Sequence, residues 1–126
     1  MFPTVLQVAL GGAIGASARY GVGVAVVRLT GHHGFPLGVL AVNILGSFIM
    51  GVFVTAAAHK GLTHWAPFVA TGILGGFTTF SSFSLEAMTL WERGAAGQAA
   101  LYVALSVGCS LTGLALGLWL ARGIWA

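Results

Sequence analysis

Residues 71–84 read Thr-Gly-Ile-Leu-Gly-Gly-Phe-Thr-Thr-Phe-Ser-Ser-Phe-Ser and lie mid-way along an apolar segment running from about residue 65 to 91. Two adjacent glycines, Gly75 and Gly76, are followed within six residues by two hydroxyl pairs. A glycine inside a helix costs about 1 kcal/mol relative to alanine. Hydroxyls can take up the backbone groups that a break sets free. The stretch therefore predicts a helix broken near residues 75–79, at mid-membrane depth. Such a break survives only where protein or a water-filled cavity covers it. Its exposed carbonyls are then potential cation ligands, as in the discontinuous helices of transporters.

The rest of the chain supports a membrane setting. Of its 126 residues 58% are hydrophobic and 6% charged, against about 25% charged in a soluble domain. A helical span needs about 20 mostly apolar residues, so four spans would use nearly the whole chain. They are expected at residues 4–29, 37–58, 65–91 and 98–121, within one all-α domain covering 1–126. Four helices leave little room for an internal pathway, which predicts an oligomer. The formal charge of +3 is scattered without a basic run, so no nucleic-acid partner is expected. Cys109 is the single cysteine; no intrachain disulfide can form, and it reads as a small buried hydrophobe. Ala16, Ser17 and Ala18 mimic a signal-peptidase site, but there is no basic segment before them and the apolar run continues past Arg19. The segment reads as a first span.

Within the spans, polar and small residues fall at helical spacings. Pro3 suits a helix start. Gly11 and Gly15 share the GxxxG spacing, as do Gly113 and Gly117, and such faces let helices approach closely in lipid. Arg19, late in the first span, must snorkel or find a partner. Asn43 is the one strongly polar side chain of the second span, and Ser47 shares its face. Glu86 is the only acid inside a span. Tyr102, Ser106 and Ser110 recur every fourth residue, a polar stripe about 12 Å long. Trp119, Arg122 and Trp125 read as an interfacial belt. His32 and His33 are adjacent, so their side chains point apart on most backbones and make a weak case for a metal site.

Charge does not choose an orientation. With four spans, Lys60 and Arg122 flank one side and Arg28 and Arg93 the other, two against two. A chain without a positive-inside bias has little reason to insert one way. Dual topology follows as the economical expectation: both orientations insert and pair as an antiparallel homodimer. A two-fold axis in the membrane plane would bring the two helix breaks together, giving one shared central site and two equivalent pathways.

Asn43, Phe80, Phe83, Tyr102, Ser106 and Ser110 form the candidate lining. Phe80 and Phe83 share a helix face with Ser84, while Thr79, Ser81 and Glu86 read as supporting groups. The lining offers N–H and O–H donors and aromatic edges, which carry partial positive charge, but no fixed charge. That combination suits a small anion held weakly enough to leave, as conduction requires. Each part has a plainer use: phenylalanines pack, and an asparagine or a Tyr/Ser stripe can join helices.

These residues resemble the Fluc (CrcB-type) fluoride channel family. The resemblance rests on Gly-Gly-Ala-Ile-Gly-Ala-Ser-Ala-Arg-Tyr at 11–20, Val-Asn-Ile-Leu-Gly-Ser-Phe at 42–48, Gly-Gly-Phe-Thr-Thr-Phe-Ser-Ser-Phe-Ser at 75–84, and the Tyr102/Ser106/Ser110 stripe. It extends over essentially the whole chain, and the third motif is the most specific. It implies a dual-topology homodimer in the cell inner membrane, passively exporting cytoplasmic fluoride through two antiparallel pores. It implies a structural Na⁺ at the centre, held by backbone carbonyls at Gly75 and Thr78 of both subunits. The pore phenylalanines match Phe80 and Phe83, the pore asparagine Asn43, the pore tyrosine and serines Tyr102, Ser106 and Ser110, and the vestibule arginine Arg19. Val39 stands where some members carry a threonine, so this chain lacks that entrance hydroxyl.

A small dual-topology multidrug/proton antiporter shares the size, hydropathy and charge balance. It would be expected to carry a carboxylate in its first span, where this chain has Arg19 and no acid. A non-conducting assembly subunit would not need the break, Asn43 and the hydroxyl stripe together. No nucleophile–base pair or metal-ligand cluster suggests an enzyme, and no GxxxxGK[ST] loop is present.

Overall fold

The computed structural model describes residues 3–31 and 34–125; His32, His33 and the Trp125 side chain lie outside the described residues. Its elements are α1 (Thr4–Thr30), α2 (Leu37–Lys60), a 3₁₀ turn (Thr63–Trp65), a π-helix (Pro67–Leu74), α3 (Gly75–Phe77), α4 (Phe80–Glu92) and α5 (Ala96–Trp125). Four helical segments are long and apolar enough to cross a membrane: Thr4–Thr30, Leu37–Lys60, Pro67–Glu92 and Ala96–Ile124. Each predicted span falls on one of them. The chain is an all-α, multi-pass membrane protein.

The ends follow from local chemistry. Pro3 precedes α1 with φ −58°, at a position where its missing N–H is no loss. Gly31 and Gly61 stop α1 and α2 with φ of +78° and +67°, values that a side chain disfavours. Their amides close back onto the carbonyls of Val27 and Ala57.

The segments meet through glycines. A Cβ on Gly72 would lie 2.8 Å from the Gly11 Cα, and one on Gly76 would lie 2.8 Å from the Gly12 carbonyl. One on Gly15 would reach the Phe77 amide at 2.8 Å. The predicted Gly11/Gly15 face thus seats backbone on backbone against the third segment. Gly51 and Gly117 do the same between α2 and α5, each nearest the other helix's backbone. Lipid tails are as apolar as the side chains they would touch, so such packing, rather than hydrophobic burial, holds helices together in a bilayer. Large apolar residues accordingly remain on the outside, Leu6, Ile14, Leu29 and Leu111 among them.

The third segment is interrupted within the predicted window, but not at the glycine pair. Gly75 is helical, with φ −64° and ψ −37°, and Gly76 lies inside α3. The extended residues are Thr78 (φ −85°, ψ 159°) and Thr79 (φ −153°, ψ 119°). Gly76 is a contact glycine, bare because α1 passes against it. The helix ends two residues later, where side chains from other helices take hold of its backbone.

Candidate functional site

The interruption is held by polar groups from α1, α2 and the segment itself. Thr78 closes α3, its amide and its Oγ1 both donating to the Leu74 carbonyl at 3.0 Å. Thr79 caps α4, its Oγ1 accepting from the Ser82 amide at 3.2 Å. The Asn43 side chain holds Thr79 by both its backbone groups: Nδ2 donates to the Thr79 carbonyl at 3.1 Å, and Oδ1 accepts from the Thr79 amide at 2.8 Å. Arg19 Nε donates to the Gly76 carbonyl at 3.1 Å. Gly46, one turn after Asn43, has no room for a side chain, because a Cβ would overlap the Thr78 methyl.

This arrangement sorts the carbonyls at the end of α3. In an unbroken helix each amide closes onto the carbonyl four residues back. The Thr79 amide would then meet the Gly75 carbonyl, and the Ser82 amide the Thr78 carbonyl. Both amides donate to side-chain oxygens instead. The Gly75 and Thr78 carbonyls, expected to hold a cation, both have their helical donors diverted, while the Gly76 carbonyl, one of the two between them, accepts from Arg19.

Beside the interruption lies a cavity of about 420 Å³ whose lining includes Asn43, Thr79, Phe80, Phe83, Ser106 and Ser110. Five of the six predicted lining residues therefore meet in one place. The sixth, Tyr102, is wholly buried behind Phe83, with ring centroids 5.4 Å apart. Phe80 stacks obliquely on Phe83, also at 5.4 Å, and is 78% exposed, leaving the cavity open on that side. Phe35 meets Tyr102 edge-on at 5.7 Å.

Two hydroxyls here lack what buried hydroxyls normally have. The Tyr102 Oη and Ser106 Oγ atoms are buried, and neither has a hydrogen-bond partner among the described residues. An unpaired buried hydroxyl costs about 1–3 kcal/mol, so natural folds usually keep one only for a purpose or a missing partner.

The supporting residues divide. Ser84 Oγ donates to the Phe80 carbonyl at 3.0 Å and so serves its own helix. Ser81 is exposed, its Oγ 3.4 Å from Thr79 Oγ1. Arg19 and Glu86 line a different cavity of about 570 Å³, together with Arg28, Phe35 and Val39. Val39, the position singled out as an entrance, lines this cavity with Arg19 and Glu86, one helical turn before Asn43. Ser47 also lines the smaller cavity; its place on the Asn43 face was the signal for it. Gly46 carried no sequence signal, because its role depends on a neighbour 32 residues away in the chain.

Comparison with known proteins places the chain in a family. Residues 6–118 match the family described as CrcB-like protein, Camphor Resistance (CrcB). A protein of Ruegeria sp. (strain TM1040), named fluoride-specific ion channel FluC, is 69% identical over 98% of both chains. Proteins of the same name from Roseobacter denitrificans and Cereibacter sphaeroides are 62% and 60% identical, over 97% and 98% of this chain and 98% of each relative. The paired glycine face, the Asn43-held interruption and the hydroxyl stripe beside it are therefore those of a protein that belongs to the CrcB family.

Proposed function

We propose that this protein is a fluoride-selective channel through which cytoplasmic fluoride leaves the cell down its electrochemical gradient. The observation that carries the reading is the pair of buried hydroxyls, Tyr102 and Ser106, that meet no hydrogen-bond geometry among the described residues, beside a cavity lined by Asn43, Phe80, Phe83 and Ser110. Fluoride is compact and a strong acceptor. Entering a dry passage strips its water, and each lost hydrogen bond costs several kcal/mol unless replaced. Two buried hydroxyls, an amide and phenyl edges can replace them. The absence of a fixed cation from this lining keeps binding weak enough for release. The names of the relatives support fluoride as the ion.

The working unit in this reading is an antiparallel homodimer in the inner membrane, with two pores. The cavity's open flank at Phe80 calls for a cover, and the balanced flanking charges permit opposite insertion. The interruption then lies at mid-membrane, near the two-fold axis. The Gly75 and Thr78 carbonyls, relieved of their helical donors, fit a structural Na⁺, because hard cations favour oxygen ligands. When bound, the ion would offset the carbonyl dipoles of both chains. Arg19 and Glu86, in the larger cavity, belong to a vestibule.

Efflux from liposomes tests this directly. Fluoride should leave much faster than chloride, without obligate proton exchange. Equal rates for the two anions, or strict coupling to protons, would favour another mechanism.

A further inference from the structure

We infer that Asn43 and Thr79 are positioning residues for the central cation, acting by keeping the Gly75 and Thr78 carbonyls out of the helix's own hydrogen bonding. The inference rests on the proposed Na⁺ junction and goes beyond it, because neither side chain is itself a ligand there. Asn43 holds both the N–H and the C=O of Thr79, so the Thr79 amide is diverted from Gly75. The Thr79 hydroxyl holds the Ser82 amide, so that amide cannot fall back onto Thr78. Arg19 occupies the Gly76 carbonyl between them. Asn43 from α2 and Thr79 of the segment itself thereby divert the helical donors of the Gly75 and Thr78 carbonyls, and Arg19 from α1 takes the Gly76 carbonyl.

Asn43 is consequently shared. Its oxygen and one N–H are committed to Thr79, and an amide has two N–H donors. One N–H is left for the neighbouring cavity. The same side chain that faces the proposed anion path also sets the cation site, so loss of activity alone would not separate the two roles. A direct reading of cation binding does.

The experiment measures the melting temperature of the purified protein as Na⁺ replaces N-methylglucamine at constant ionic strength. Wild type should be stabilised by Na⁺ with a defined half-effect concentration. Thr79→Ala and Asn43→Leu should each raise that concentration roughly tenfold, the size of one lost hydrogen-bond preference. Thr79→Ser keeps the capping oxygen and should stay near wild type. Ser110→Ala, which alters the cavity away from the interruption, should not move it. If Asn43→Leu does not fold, Asn43→Ser carries the same comparison. A wild-type half-effect concentration in the Thr79→Ala and Asn43 variants would overturn the positioning role. No Na⁺ effect on wild type would overturn the cation junction itself.

Discussion

Asn43 on α2 and Thr79, 36 residues later, exchange two hydrogen bonds, 3.1 Å and 2.8 Å long, between one side-chain amide and the backbone N–H and C=O of one residue. The pair replaces, with a partner from another helix, the bonds that the third segment forgoes at its break. In a bilayer no water stands ready to do so.

Asn43→Ala should therefore damage fold and activity together. The loss of two part-buried hydrogen bonds predicts about 1–3 kcal/mol of destabilisation, measurable by thermal unfolding in detergent. Fluoride efflux should fall with it.

Tyr102 and Ser106 predict the opposite relation. Their hydroxyls find no hydrogen-bond geometry among the described residues, which costs stability. Ser106→Ala and Tyr102→Phe should leave stability unchanged or raise it by about 1 kcal/mol, while efflux drops. Parallel melting and flux measurements check this; a marked loss of stability in both variants would show that the hydroxyls are bonded.

Phe80→Ile and Phe83→Ile should depress flux with the oligomer intact. Isoleucine keeps much of the bulk but removes the electropositive ring edge. Size-exclusion chromatography reads the assembly and liposome efflux reads the path. Wild-type flux in both variants would take the rings out of it.

Gly46→Ala should destabilise the fold by about 1–3 kcal/mol, the usual cost of overpacking, because the added methyl meets the Thr78 side chain. Gly97→Ala, with open space around it, should be neutral or stabilising. Chemical denaturation of both variants makes the comparison.

These cases also show what could be read before the structure was known. Helix number and limits were legible, since a run of apolar residues has few other uses at this length and the stops are Gly31 and Gly61. The glycine faces were legible because GxxxG spacing is local. The helical stripes were legible, and Asn43, Phe80, Phe83, Ser106 and Ser110 converge on one cavity. The exact point of interruption was not. Gly75 and Gly76 have low helix propensity, but packing against α1 uses Gly76 as bare backbone, and the unwinding is set by Asn43 holding Thr79. That is a tertiary bond between distant residues, and propensity carries no trace of it. Arg19 was matched to a vestibule arginine apart from the lining; that Glu86 lines the same cavity was not legible, since residues of α1, α2 and α4 meet there only in the fold.

The account stands most heavily on two copies inserted in opposite directions, each covering the flank that the other leaves open at Phe80. Labelling of a reporter fused to the C-terminus, in intact cells and in opened ones, tests this most directly. About half of the reporters should be reached from each side of the membrane; labelling from one side only would contradict it.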